Sequence, residues 1–153
     1  MKKIASFCVN HDTLTPGIYL SRVDGPVVTY DIRMVKPNSP PYLPNAALHT
    51  IEHLFATFAR NSEDADHVIY FGPMGCRTGF YFLVTDMQHN AVIDRVRDIF
   101  RRIAAYEGDI PGAANSAECG NYLEHDLAGA KEWAAQFLPV IENWKPENLR
   151  YPS

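Results

Sequence analysis

The sequence predicts a single α+β domain, residues 1–153, in which a largely antiparallel sheet carries helices packed on one face. The predicted elements follow the order strand, hairpin, helix, strand, strand, helix, helix. This order lacks the strict alternation of strands and helices that a parallel sheet requires. A length of 153 residues suits one domain with its own core. Element order and length together favour one antiparallel sheet covered by helices.

The first predicted strands lie near the N-terminus. Residues 4–9 form a short apolar stretch that predicts a strand. Residues 17–23 and 26–36 predict two more strands, and the Asp24-Gly25 turn between them is typical of an antiparallel hairpin. The N-terminal part of the chain is therefore expected to contribute three strands.

A helix is predicted after a proline-rich, extended connection that ends at Pro44. Asn45 is the expected N-cap, and Asn61 is the expected stop. The apolar residues between them recur at helical spacing: Leu48, Ile51, Phe55 and Phe58. This stripe predicts that one face of the helix packs against the sheet.

The second half of the chain predicts four elements: a strand at 66–71, a strand at 79–86, a helix at 91–106 and a helix at 127–138. A loop rich in glycine separates the two strands. Asp126 is the expected N-cap of the last helix, and Pro139 is expected to end or bend it. Both helices are amphipathic and suit the covering of a sheet.

Charge and cysteine content argue against several classes of protein. The formal net charge of -4 comes without a cluster of Lys and Arg, so a nucleic-acid partner is not expected. The three cysteines, at positions 8, 76 and 119, show no paired spacing, which favours free thiols in a reducing, cytoplasmic compartment. No apolar run approaches the ~20 residues of a membrane span, so no membrane association is expected.

Two histidines four residues apart are the strongest chemical signal. On a helix, His49 and His53 project about 40° from one another along one face, so both rings can reach one metal ion. Glu52 flanks that face, within reach of whatever the metal binds. The third ligand is either an acidic residue or Cys119. With Cys119, two nitrogens and one thiolate leave a fourth tetrahedral position open, as in catalytic metal sites.

Cys76 is the second chemical signal. It lies in a loop with three glycines and a proline in eight residues, which can expose the sulfur to a small ligand. Arg77 beside it is expected to favour the thiolate. A metal, a carboxylate and a reactive thiol suit repeated proton transfers at carbons next to a carbonyl, which is isomerase or lyase chemistry.

Two other functions compete with this hypothesis. The order HxxEH is also that of the inverted-motif zinc metallopeptidases, in which Glu52 would activate water, but that reading leaves Cys76 without a role. Alternatively, the metal is structural and stabilises the fold of a binding module. An open coordination position and a chain long enough to fold without metal both argue against a structural metal.

Several sequence blocks, in one order and at compatible spacings, carry a family resemblance. They are Ser6-Phe7 with His11, Asp31-Ile32-Arg33, Ala47 to His53, Pro73 to Tyr81, and Cys119-Gly120-Asn121. Together they resemble S-ribosylhomocysteine lyase, the LuxS family, over nearly the whole chain from Ser6 to the final helix. A lone HxxEH motif would not be specific enough for this identification.

The resemblance implies a homodimer with two identical sites at the subunit interface and one divalent metal in each. Fe(II) is the metal of the native family enzymes, with Zn or Co as substitutes, and no organic cofactor is expected. The implied metal ligands are His49, His53 and Cys119. The implied general acid/base groups are Glu52 and Cys76.

The resemblance also implies a reaction and a set of substrate contacts. The family cleaves S-ribosylhomocysteine to homocysteine and 4,5-dihydroxypentane-2,3-dione, the precursor of the autoinducer-2 signal. Ser6, His11 and Arg33 match positions that contact substrate, reaching across the dimer, although pattern alone would make them surface groups. Tyr70 stands where the family often has an acidic residue.

Overall fold

The computed structural model describes all residues, 1–153, and has four strands and three helices. The strands are β1 (Gly17–Asp24), β2 (Val27–Arg33), β3 (Val68–Pro73) and β4 (Gly79–Thr85). The helices are α1 (Asn45–Arg60), α2 (His89–Ala105) and α3 (Leu127–Ile141). The strands form one antiparallel sheet in the order β1-β2-β4-β3, and the helices pack against it. The predicted α+β fold is confirmed.

The two faces of the sheet have different chemistry. The face under the helices carries fully buried apolar side chains that belong to the core: Tyr30, Ile32, Phe80, Phe82 and Val84. Because side chains alternate along a strand, Asp31 and Arg33 on β2 point to the opposite face, here called the outer face. Tyr81 lies beside Asp31 in the register of β2 and β4. The outer face is therefore partly polar, although Asp31 and Arg33 are buried there.

An aromatic stack joins α1 to the sheet. The rings of Phe55 on α1 and Phe71 on β3 are nearly parallel, with centroids 3.7 Å apart. Phe71 stacks in turn on Phe80 at 4.7 Å. Offset or stacked aromatic pairs contribute about 0.5–1.5 kcal/mol beyond their buried area. This stack holds α1, and with it His49 and His53, in a defined place over β3.

The strand expected at residues 4–9 is wrong. Residues Ala5–Phe7 form a short 3-10 turn instead, and no strand of the sheet pairs with them. Ile4 and Phe7 are 54% and 69% exposed, so this apolar stretch gains no burial within the chain. A β-strand needs a neighbouring strand to form hydrogen bonds with its backbone N–H and C=O groups, and no strand lies beside residues 4–9.

The helix boundaries differ from expectation at two prolines. α1 begins at Asn45 itself, and the residue before it, Pro44, occupies the N-cap position without a side-chain hydrogen bond. α3 continues through Pro139 to Ile141, so the expected end at Leu138 is wrong. Ile141 is fully buried, and its packing favours a last helical turn that lacks one backbone donor.

The other expected elements are confirmed within a few residues. The β1–β2 hairpin turns at Asp24-Gly25, and Gly25 has the positive φ of 58° that such turns require. β3 starts at Val68, after a 3-10 turn at Ala65–His67 that replaces the first two expected strand residues. Asp126 caps α3, since its side chain accepts a hydrogen bond from the Gly129 N–H at 2.9 Å. No helix has both the length and the apolarity to cross a membrane.

Candidate active site

Four side chains converge on one point beside α1. His49 and His53 come from α1, and Cys119 and His125 come from residues 106–126 between α2 and α3, here called the ligand loop. Their ligand atoms all lie within 4.8 Å of one another. The predicted grouping of His49, His53 and Cys119 is thus found in the structure.

The spacing within this cluster fits a divalent metal. The Cys119 Sγ lies 3.4 Å from the His49 Nε2 and 3.7 Å from the His53 Nε2. Metal bonds of about 2.3 Å to sulfur and about 2.1 Å to nitrogen, at a tetrahedral angle, place those atoms about 3.6 Å apart. Two imidazoles and one thiolate are ligands that Zn and Fe(II) accept.

Backbone carbonyls of the ligand loop orient both helical histidines. His49 donates from Nδ1 to the Glu124 carbonyl at 2.9 Å, and His53 donates from Nδ1 to the Pro111 carbonyl at 2.7 Å. A carbonyl only accepts, so each Nδ1 carries the proton and each Nε2 keeps its lone pair for a metal. The loop therefore supplies Cys119 and also fixes the tautomers of the two histidines.

His125 is a member of the cluster that sequence reasoning missed. Its ring stacks on His49 at 3.9 Å, and its Nε2 is buried without a hydrogen-bond partner. Burial, then the neighbouring His49 and His53, lower the pKa of His125 to about 4, so the ring is neutral at neutral pH. In the sequence, His125 follows Cys119 by six residues. This spacing does not place the two residues on one face of a helix, so nothing marked His125 as a candidate ligand.

Glu52 lies next to the metal cluster and opens into a cavity. The cavity has a volume of about 370 Å³, and His53, Arg60, Tyr70 and Pro111 also line it. The partly exposed carboxylate of Glu52 can exchange protons with a ligand held there. Tyr70, the departure from the family pattern, is 53% exposed at the same cavity.

Cys76 lies on the outer side of the sheet in a second cluster. Its Sγ is 3.9 Å from Arg33 Nη1 and 3.1 Å from the Thr78 hydroxyl. The cation expected beside it was Arg77, but the Arg77 guanidinium instead donates to the Leu43 carbonyl at 3.3 Å. Arg33 is therefore the cation that faces the sulfur, a contact across 43 residues that local sequence cannot reveal.

Ser6 and His11 border the same cluster. They line a cavity of about 400 Å³ together with Arg33, Cys76 and Tyr81. Arg33 itself is only 2% exposed, and its donors also engage Asp31 and Thr78. The structure thus brings the three predicted substrate contacts to the predicted thiol.

The structure of one chain keeps these two clusters apart. Glu52 and His53 line one cavity and Cys76 lines others, and the linings share no residue. Glu52 belongs to α1 on the helix face, whereas Arg33 beside Cys76 points to the outer face. Within one chain, the two predicted acid/base groups therefore do not face a common space.

Comparison with known proteins gives one consistent result. The family model described as S-Ribosylhomocysteinase (LuxS) matches residues 4–148. The chain is 48% identical to the S-ribosylhomocysteine lyase of Clostridium acetobutylicum, over 99% of each chain. It is 48% identical to that of Finegoldia magna, over 99% of each chain, and 47% identical to that of Borreliella burgdorferi, over 99% of this chain and 100% of the relative.

The fold is α+β, its site contains four side chains that could hold a metal ion, and the family match makes the protein a carbon-sulfur lyase. The chain belongs to the S-ribosylhomocysteinase (LuxS) family. The inverted-motif metallopeptidase is not favoured, because the family match and these relatives all carry the lyase name.

Proposed function

We propose that this chain cleaves S-ribosylhomocysteine to homocysteine and 4,5-dihydroxypentane-2,3-dione, the precursor of autoinducer-2. The observation that carries the proposal is the convergence of His49, His53 and Cys119, with both Nε2 atoms facing the sulfur, in a member of this family. The three free thiols support a cytoplasmic location.

His49, His53 and Cys119 hold one divalent metal per subunit in this proposal, Fe(II) in the native enzyme with Zn or Co as substitutes. When bound, the metal supplies a Lewis acid for the oxygens of the substrate carbonyl and its neighbouring hydroxyl. The mixed nitrogen and sulfur ligand set and the tautomers fixed by the Glu124 and Pro111 carbonyls support this role.

Glu52 and Cys76 move the protons. The carbonyl of the open ribose migrates from C1 to C2 to C3. Each shift removes a proton from the carbon that becomes the carbonyl and returns a proton to the carbon that was the carbonyl. Once the carbonyl is at C3, the C4 proton is acidic, and its removal expels the homocysteine thiolate from C5. The enol left at C4 and C5 then loses its hydroxyl proton and gains a proton at C5, which gives the methyl ketone of the dione. Atoms and electrons balance without an external oxidant, since one carbon is oxidised as its neighbour is reduced.

Ser6, His11 and Arg33 contribute to substrate binding in the same proposal. Ser6 and His11 line the cavity that contains Cys76, which places a hydroxyl and an imidazole beside the reactive thiol. Arg33 contacts the sulfur itself at 3.9 Å, so a positive charge lies beside the group that exchanges protons with the substrate. These contacts support the proposal that the three residues bind substrate.

The active unit is a homodimer whose sites lie between the subunits. Glu52 with the metal cluster and Cys76 with Arg33 open into separate cavities of one chain, yet the reaction requires both acid/base groups on one substrate. In a dimer with two-fold symmetry, the Cys76 cavity of each chain can face the Glu52 cavity of the other chain. Such a dimer contains two identical complete sites.

Thiol release from S-ribosylhomocysteine under anaerobic conditions tests the reaction. We expect Cys76→Ala and Glu52→Gln to lose ~100-fold or more of the turnover of the Fe(II)-loaded protein, because each removes a proton carrier. Metal content should stay near that of the unchanged protein, since neither residue is a ligand. Cys8→Ala, which removes another exposed thiol, is the matched control. Full activity of either variant would defeat the assigned roles.

A further inference from the structure

A buried carboxylate lies behind the arginine that faces Cys76. Asp31 is 1% exposed and receives two hydrogen bonds from Arg33, from Nε at 3.1 Å and from Nη2 at 2.6 Å. The remaining nitrogen, Nη1, is left for Thr78 at 2.8 Å and for the Cys76 sulfur. A guanidinium is planar and rigid, so the plane of the Asp31 carboxylate sets the direction in which Nη1 points.

A third donor to Asp31 comes from the C-terminal tail. The Tyr151 hydroxyl donates to Asp31 Oδ2 at 2.7 Å, across 120 residues of sequence. Burial, then the Asp31 charge, raise the pKa of Tyr151, so the phenol keeps its proton and remains a donor. Asp31 Oδ2 is thus held by one cation and one neutral donor.

The tail that carries Tyr151 is fixed in place. The Tyr151 ring stacks on Tyr19 of β1 with centroids 5.1 Å apart. Upstream, Trp144 donates from Nε1 to the Ile18 carbonyl at 2.7 Å, and Leu149 is 4% exposed in the core. A hydroxyl delivered by an anchored segment costs little conformational entropy when it binds. The packing of its ring and of the residues before it therefore fixes where the hydroxyl lies.

We propose that Tyr151 is a positioning residue that acts through Asp31 to hold Arg33 beside the Cys76 sulfur. The proposal rests on the acid/base role of Cys76 given above. Without the phenol, Asp31 loses one of its three hydrogen-bond donors. It then binds Nε and Nη2 of Arg33 more strongly, and the guanidinium moves so that Nη1 lies farther from the sulfur. The thiolate of Cys76 is then less favoured, and Cys76 reacts only at higher pH.

Other groups around Cys76 are unchanged by this substitution. The charged or titratable groups that border it are Arg33, His11, Tyr42, Tyr81 and the adjacent Arg77. None of them is hydrogen-bonded to the Tyr151 hydroxyl, and only Arg33 and Tyr81 lie close enough to Tyr151 for an electrostatic interaction. A change in the reactivity of Cys76 after loss of that hydroxyl therefore reports on Asp31 and Arg33.

The test is the pH dependence of iodoacetamide alkylation at Cys76 in the Zn-loaded protein, resolved from Cys8 by mass spectrometry. We expect Tyr151→Phe to raise the midpoint pH of the reaction by about one unit, a tenfold loss of thiolate below the midpoint. Tyr19→Phe is the matched control. It removes the hydroxyl of the stacked neighbour, which is hydrogen-bonded to Thr15 and not to Asp31.

An unchanged midpoint in Tyr151→Phe would overturn the proposal, and so would an equal shift in Tyr19→Phe, which would indicate ring packing alone. If Tyr151→Phe does not fold by circular dichroism, Tyr151→Met, which keeps an apolar side chain against Tyr19 and lacks the hydroxyl, gives the same test and the same expected shift. Alkylation needs no substrate. A shifted midpoint in a protein that releases no thiol from S-ribosylhomocysteine would leave the positioning role standing and defeat the proposed function.

Discussion

Thr50 shows how one hydroxyl can join the core to the metal cluster. It is fully buried on α1, and its Oγ1 accepts a hydrogen bond from the Asp126 N–H at 2.9 Å. The same oxygen lies 3.1 Å from the Ala46 carbonyl and 3.0 Å from His125 Nδ1. If its single proton goes to Ala46, His125 donates to Thr50 and its Nε2 keeps the lone pair that faces the cluster. Thr50 thereby ties the end of the ligand loop to α1.

Thr50→Val should lower the free energy of unfolding of the metal-free protein by about 1–3 kcal/mol, because the Asp126 N–H and His125 Nδ1, both part-buried, lose their hydrogen-bond partner. Zn transfer to a chelator should also become faster, since the loop that carries Cys119 is held less firmly. Urea unfolding and chelator competition measure the two effects.

Thr50→Ser is the matched control for this substitution. It keeps the hydroxyl and loses one methyl group, so it should retain Zn as the unchanged protein does. If the valine variant retains Zn equally well, the hydroxyl does not hold the loop.

Local spacing predicted part of the site and missed contacts between distant residues. His49 and His53 were found because a helix repeats about every 3.6 residues and both belong to one helix. Arg33 and Cys76 meet across 43 residues, and His125 meets His49 across 76, so no local pattern marks either contact. Arg77 was expected beside Cys76 because it is adjacent in sequence, but its side chain turns to Leu43.

At the level of elements, the cap of α3 decides where the ligand loop ends. Asp126 has an extended backbone, with φ of -147°, and its side chain accepts the Gly129 N–H. The first turn of a helix has backbone donors without helical partners, and a capping carboxylate satisfies one of them. The same residue bonds to Thr50 through its own N–H, so the cap is anchored on α1.

Asp126→Ala should cost about 1 kcal/mol of unfolding free energy, since the Gly129 N–H loses its partner. Asp126→Asn should stay close to the unchanged protein, because an amide oxygen caps as well as a carboxylate. Thermal or urea unfolding of the metal-free variants distinguishes them. Equal losses in both would mean that the negative charge near the helix N-terminus, and not the hydrogen bond, is what stabilises α3.

Most helices and strands were predicted correctly because their apolar residues in the sequence are the ones that the structure buries. The incorrect predictions have physical causes. The hairpin, α1, α2 and α3 carry turn residues, caps or apolar stripes that the structure uses. Residues 4–9 have an apolar pattern without a partner strand, so the pattern alone misled. α3 passes Pro139 because burial of Ile141 outweighs one missing backbone donor, a balance that sequence propensity does not contain.

For the whole molecule, separate cavities for Glu52 and Cys76 predict complementation between inactive chains. Mixing the Glu52→Gln and Cys76→Ala proteins and allowing subunits to exchange should restore roughly a quarter of the unchanged activity. Half of the dimers are then hybrids, and each hybrid has one site that combines an intact Glu52 from one chain with an intact Cys76 from the other. Thiol release after exchange measures the recovery.

A mixture of Glu52→Gln with Glu52→Ala is the control for complementation, because neither chain supplies the missing carboxylate. No recovery in the first mixture, with exchange verified by native mass spectrometry of tagged chains, would mean that each chain builds its site alone. That outcome would require Cys76 and Glu52 of one chain to approach each other by a large rearrangement.

In the proposed metal site, the ligands would also change the conformational entropy of the unfolded chain. His49 and Cys119 are 70 residues apart, so one ion that binds both closes a long loop, as a disulfide does. On the loop-closure relation used for disulfides, a cross-link of this length restricts the unfolded chain by about 4 kcal/mol. Unlike a disulfide, this proposed cross-link would form and break with metal supply. The thermal stability of the protein would then depend on metal availability.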